Sequence, residues 1–347
     1  MVQLDGLRAF AVALVMLSHW TLDLPILPKL PLGQMGIELF FVLSGFLISS
    51  ILLKSRDKAG NGQVLKNFYL RRALRIFPVY YATIFVLINI NELWITNLEV
   101  DRLAIWHLTY TNNFFYFFNG NFLGAESHFW TLSVEEQFYL VWPFIMLFTP
   151  LKWLKNVVIS LLIGSILFRG WMLLEGHHFM FTLMPSQIFA FAMGSLLALH
   201  NQLVPKSSPG LLQFNRPWFW LALVSFISIC SLYSFKHLEL IYLWIGDVLM
   251  AFIFCAIISK ASTGFKGFLG SSLEWKPIVY IGKISYGIYI FHNFVPSLVM
   301  HTFKLLSFEP HPMYVRLLFL VVTIVIAALS WELFEKQILK LKSRLQY

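Results

Sequence analysis

The chain has 347 residues, of which 58% are hydrophobic and 12% charged, about half the charged share of a soluble domain. Its net charge of +9 does not mark a nucleic-acid binder, which needs its basic residues clustered with little competing hydrophobicity. Cys230 and Cys255 each sit inside an apolar stretch, so neither a disulfide framework nor a zinc site is indicated.

What remains is the membrane class. Lipid offers no partner to unpaired backbone groups, so a chain crosses it as helices of roughly 20 mostly apolar residues. Such stretches predict an all-α, polytopic membrane helix bundle of about ten transmembrane helices. They fall near residues 6–22, 34–53, 73–92, 131–149, 157–174, 183–200, 217–235, 240–259, 278–299 and 313–334. An even number puts both termini on one side. A single integral-membrane domain over 1–347 is expected, with no appended soluble domain.

The first segment, MVQLDGLRAFAVALVMLSHW, carries Asp5, Arg8 and His19 where a cleavable signal would have an uninterrupted apolar run. It is predicted to be a retained helix. With the N-terminus cytoplasmic, the cytoplasmic segments hold Lys54, Arg56, Lys58, Lys66, Arg71, Arg72, Arg75, Lys152, Lys155, Lys206, Arg216, Lys260, Lys266, Lys276, Lys336, Lys340, Lys342 and Arg344. The opposite loops hold Lys29, Arg102, Lys236 and Lys304. That asymmetry follows the positive-inside rule and accounts for the net charge without an acidic partner.

Ionisable residues inside spans are costly, so function is sought there first. Arg8 and His19 are eleven residues apart, which places them on one helix face, roughly 16 Å apart in height. They cannot pair with each other. A neutral imidazole at His19 suits general-base work, and a hydrogen-bonded core histidine is the alternative.

Glu38, in GIELFFVLSGFLI, lies near the outer start of the second span. In FYLRRALRIFPVYY, Arg71 and Arg75 are one turn apart with Arg72 beside them. Guanidinium forks there could clamp phosphates, or anchor the chain to anionic lipid. The stretch 93–130, rich in Asn and aromatics, reads as a partly buried outer loop, an interfacial belt or a sugar-contacting surface.

HFWTLSVEEQFYLVWP carries His128, Glu135, Glu136 and Gln137 into the fourth span. Neighbouring helix positions diverge by about 100°, so at most one of the two glutamates easily faces a central cavity. In IGKISYGIYIFHNF, Ser285, Tyr289 and His292 recur at helical spacing, as a cavity lining or as interhelical hydrogen-bonding groups. Ser44 in LSGF lacks the strand-to-helix elbow of a hydrolase nucleophile.

Taken in order, these stretches resemble the integral-membrane acyltransferase-3 family, whose members O-acylate bacterial polysaccharides and other glycosylated molecules. LDGLRAFAVALVMLSHW is similar to the family's opening motif, with Arg8 and His19 at its arginine and histidine. GIELFFVLSGFLI, RRALRIFPVYY, HFWTLSVEEQFYLVWP and ISYGIYIFH match later signatures, with Glu38 standing where the family more often has aspartate. The resemblance implies catalytic His19, Glu135 and Glu38, and a donor site of Arg8, Arg71, Arg72 and Arg75. Trp130, Glu136, Tyr286 and His292 are the candidate acceptor contacts, and no metal is expected.

On that basis the expected activity is membrane-bound acyl transfer, acetyl-CoA being the co-substrate and a glycan or glycolipid hydroxyl the acceptor, in a bacterial inner membrane. His19 would deprotonate the hydroxyl for direct attack, or carry the acyl group itself. The bilayer is the other partner, and nucleic acid is not one. A transporter or flippase of an anionic metabolite or glycolipid is the alternative class, and a non-catalytic glycan-binding scaffold a third.

Overall fold

The computed structural model describes residues 1–20, 31–56, 60–94, 99–203, 217–232, 239–305 and 312–341. Lys29, Lys58, Lys206, Arg216, Lys236, Lys342 and Arg344 of the charge asymmetry lie outside the described residues, as do the predicted span ends at 21–22 and 233–235. Among the described residues there are helices and turns and no strand.

In chain order the α-helices are α1 Val2–Trp20, α2 Leu32–Ser55, α3 Asn61–Trp94, α4 Ala104–Leu108, α5 Asn112–Asn119, α6 Trp130–Phe148, α7 Leu151–Leu174, α8 Met184–Leu203 and α9 Pro217–Leu232. There follow α10 Glu239–Ile241, α11 Asp247–Thr263, α12 Gly267–Glu274, α13 Lys276–Lys283, α14 Ser285–Phe291, α15 Val295–Leu305, α16 Pro312–Ser330 and α17 Lys336–Leu339. π-helical turns at Tyr242–Gly246 and Trp331–Glu335 join α10 to α11 and α16 to α17. Five helices, Val2–Trp20, Leu32–Ser55, Leu151–Leu174, Tyr242–Thr263 and Met313–Leu339, are long and apolar enough to cross a membrane. The chain is thus a multipass helical membrane protein.

The centre of the bundle is α2, packed along both α1 and α8. Gly45 and Gly194 permit that approach. A Cβ on Gly45 would strike the Phe191 carbonyl, and one on Gly194 would strike the carbonyl of Val42. Small residues let helix backbones close up in lipid, where dispersion and interhelical hydrogen bonds replace the hydrophobic drive. Here Ser49 donates to Ser195 at 2.7 Å and accepts from Trp142 Nε1 at 2.8 Å, tying α2 to α8 and α6. Conversely, α7 and α16 turn Ile163, Leu167, Trp171, Leu317, Val321 and Val325 outward, as a lipid-facing surface requires.

Two sequence expectations are revised. The predicted ninth span, 278–299, is not one helix but parts of α13, α14 and α15. Pro296 has no N–H to offer the His292 carbonyl, which favours the break between α14 and α15. The outer stretch 93–130 is not a loop throughout, because α4, α5 and a 3₁₀ turn at Ala125–Phe129 are built from it. Asn112 and Asn113 are structural. Asn113 and Gln137 exchange amide hydrogen bonds of 3.3 and 2.9 Å, and Ser133 donates to Asn112, which fastens α5 onto α6.

Candidate active site

α1 carries His19 at its C-terminal end, and α14 ends where His292 begins. The two rings meet: His19 Nδ1 lies 2.8 Å from His292 Nε2. Their planes are 18° apart and their centroids 5.0 Å apart. So short a nitrogen–nitrogen distance with so wide a centroid spacing means that the rings are joined edge to edge, nearly coplanar. His292 is fully buried, whereas His19 remains exposed.

The surroundings of His292 follow from the end of α14. A helix leaves its last carbonyls without intrahelical partners. His292 Nδ1 sits 2.7 Å from one of them, Tyr289 O, and His128 Nε2 sits 3.3 Å from the next, Ile290 O. The Tyr289 hydroxyl donates to His128 O at 2.9 Å, and Asn293 Nδ2 donates to Ala125 O at 2.6 Å. These bonds stitch the start of α6 to the end of α14, and the His128 and His292 rings meet edge to face at 4.9 Å.

One level deeper, Ser44 of α2 donates to Glu135 Oε1 at 2.9 Å and lies 3.1 Å from the Tyr139 hydroxyl. Arg72 of α3 covers the Tyr139 ring at 5.1 Å, and its charge, with that of Arg8, acts on Glu135. Glu136 points elsewhere, as adjacent helix positions must. Its Oε1 is buried with no partner, and Tyr286 and Arg72 are within its electrostatic reach. Tyr286 itself donates to Ile76 O at 2.7 Å.

Toward the other end of α1, Arg8 is ion-paired with Asp5. Arg75 donates to Lys283 O at 3.2 Å and stacks over Trp331 at 5.0 Å, with Glu335 and Arg8 acting on its charge. Arg71 precedes Arg75 by one turn. Arg8, Arg71, Arg72, Arg75, Glu135, Glu136 and Tyr286 are each only partly buried.

Two predicted residues stand apart. Trp130 is buried in aromatic packing, edge-on to Phe181 at 5.7 Å. Glu38 is fully buried and accepts from Gln34 Nε2 at 3.2 Å, with the Arg169–Asp247 ion pair of α7 and α11 acting on its charge. At 100° per residue Glu38 shares the α2 face of Gly45, against α8, and is about 120° from Ser44.

Sequence reading missed four participants. Tyr139 and Glu335 carry no motif signal beyond their neighbours, although a carboxylate in an apolar final span is itself a cue. Arg169 and Asp247 are 78 positions apart, and only their separate intramembrane charges hint at a pair. Among the described residues, no group of three or more His, Cys, Asp or Glu side chains is placed to hold a metal ion.

Comparison with known proteins returns one consistent picture. The model of the acyltransferase domain family matches residues 1–332. Peptidoglycan O-acetyltransferase OatA of Listeria monocytogenes is 30% identical, covering 97% of this chain and 55% of that protein. YrhL of Bacillus subtilis is 29% identical over 96% of this chain and 54% of the relative. O-acetyltransferase OatA of Staphylococcus aureus is 28% identical over 97% and 57%. The chain therefore spans about half the length of these relatives. No solved structure matches.

Proposed function

This chain belongs to the acyltransferase domain family, and from that premise we propose that it moves an acetyl group from cytosolic acetyl-CoA to a hydroxyl of a surface glycan. Peptidoglycan is the acceptor that the names of its relatives suggest. The observation that carries the proposal is the division of chemistry along α1. An accessible imidazole stands at one end and a cluster of guanidiniums gathers at the other, roughly 16 Å apart by helix rise.

Arg8, Arg71, Arg72 and Arg75 suit the donor's phosphates, since guanidinium forks bind phosphate oxygens bidentately and stay charged. The pantetheine arm, comparable in length to the helix offset, would run past Glu135 and Ser44 toward His19. There the imidazole takes the proton of the glycan hydroxyl as that oxygen bonds to the thioester carbon. The C–S bond breaks, the ester forms, and the proton leaves His19 to complete the CoA thiol. Glu136 and Tyr286 line the acceptor approach in this scheme, Trp130 packs behind it among aromatic rings, and Glu38 supports α2 behind the site.

In the membrane, the proposal has ten crossings with both termini in the cytoplasm of a bacterium, consistent with Arg56, which donates to Met146 O at 2.7 Å at the end of α6. The test is mass spectrometry of surface glycans from cells with and without the gene, complemented by wild type or by His19→Ala. Ester content should return with wild type alone. Equal ester content in all strains would reject the proposal.

A further inference from the structure

The contact between His19 and His292 contains more than a distance, because each imidazole nitrogen can play only one part at a time. In the neutral ring one nitrogen donates and the other accepts. His292 Nδ1 is 2.7 Å from the carbonyl oxygen of Tyr289, and a carbonyl can only accept. The proton of a neutral His292 is therefore on Nδ1, and its Nε2 offers a lone pair. That lone pair is 2.8 Å from His19 Nδ1, so His19 must be the donor there.

The reverse assignment fails. A proton on His292 Nε2 alone would set the Nδ1 lone pair against the Tyr289 oxygen, two acceptors face to face. A doubly protonated His292 would be a fully buried cation, and the ionisable groups that act on it are two further histidines, His128 and His19, with no carboxylate between them. An uncompensated charge is not sustained in such a place.

We infer that His292 is a positioning residue, which holds His19 in the tautomer protonated on Nδ1 and so leaves His19 Nε2 as the basic nitrogen. The inference rests on the proposed acyl transfer for its catalytic consequence, but not for the tautomer. The nearly coplanar, edge-to-edge geometry is the one in which the N–H points along the partner's lone pair. When His19 Nε2 accepts the hydroxyl proton, the ring becomes a cation with both nitrogens protonated. His292 Nε2 then accepts from a charged donor, a stronger bond than the neutral one it replaces. The same logic, an orienting partner behind a catalytic histidine, is familiar from the serine hydrolases, where the partner is a carboxylate.

The scaffold that holds His292 is backbone. Termination of α14 before Pro296 frees the Tyr289 carbonyl, and the bonds from Tyr289 and Asn293 to residues 125–128 keep that helix end in place. The chain thus converts a helix break into a fixed histidine tautomer.

The test uses the full-length protein in lipid nanodiscs with ¹⁵N-histidine labelling, the His19 signals being assigned by their loss in His19→Ala. In wild type, the His19 resonances should report a protonated Nδ1 and an unprotonated Nε2. In His292→Ala the preference should vanish, with kcat down about tenfold to a hundredfold, a part of the roughly 10²–10⁴ that general-base catalysis provides, and the KM for acetyl-CoA unchanged. His292→Gln, whose side-chain carbonyl can still accept from His19 Nδ1, should restore the tautomer and much of the rate. Protonation of His19 at Nε2 in the wild type would overturn the inference, as would an unchanged tautomer in folded His292→Ala. Retained activity in His19→Ala, by contrast, would remove the proposed mechanism while leaving the tautomer assignment standing.

Discussion

Ser44 donates its hydroxyl hydrogen to Glu135 across 2.9 Å, linking α2 to α6. A carboxylate so placed, with Arg72 and Arg8 acting on its charge, depends on the serine for orientation. Ser44→Ala should lower acetyl transfer about fivefold, the equivalent of one ordinary hydrogen bond of about 1 kcal/mol. Glu135→Gln should cost more, because it removes the charge facing the arginines. Steady-state rates of both variants at saturating donor check this ordering.

Arg75 stacks on Trp331 and lies beside Arg8 and Glu335. If these guanidiniums hold the donor's phosphates, Arg72→Ala and Arg75→Ala should each raise the KM for acetyl-CoA about tenfold or more, as loss of a charge-assisted hydrogen bond of about 1.5–3 kcal/mol requires. The acceptor KM should stay put. Arg75→Lys should rescue poorly, since an ammonium has no planar fork to lie flat on the indole or to bind phosphate bidentately.

Glu38 and the Arg169–Asp247 pair make a sharp contrast. Asp247→Asn leaves Arg169 as a buried charge without its carboxylate, and should destabilise the fold by about 3–5 kcal/mol. Glu38→Gln keeps size and hydrogen-bonding capacity next to Gln34 and should leave both folding and transfer nearly intact. Thermal unfolding in detergent, with transfer rates measured on the same samples, separates the two.

Outside the spans, Glu126 accepts the Glu99 backbone N–H at 2.7 Å, yet burial pushes its carboxyl up to about 7. The folded state therefore favours the protonated acid. Stability should fall as pH rises from the ordinary carboxyl range through about 7, by about 1–3 kcal/mol. Glu126→Gln removes that loss, so unfolding temperatures of wild type and variant should converge at about pH 4, below the ordinary carboxyl value, and separate at about pH 8, the variant being higher.

The multipass helical class and the residues worth examining were legible in the sequence, because apolar runs of spanning length and rare intramembrane charges are local signals. Arg8 and His19 on one face follow from helix geometry alone. What the sequence could not display is partnership. The His292 ring is held by the Tyr289 carbonyl, a backbone group that every residue possesses, freed because α14 ends at Phe291. Glu38 matched a motif, yet it faces α8 because α2 has two buried faces and no polar side to reveal which is which. The Arg169–Asp247 pair joins helices that nothing in the order of residues brings together.

The most direct measurement is transfer of radiolabel from [acetyl-¹⁴C]-CoA to a glycan acceptor by the purified protein, in wild type and His19→Ala. Labelled ester should accumulate with wild type and be absent with His19→Ala, while both proteins bind CoA equally. Equal ester formation by the two proteins, or uptake of an acceptor into vesicles with no ester formed, would contradict acyl transfer centred on His19.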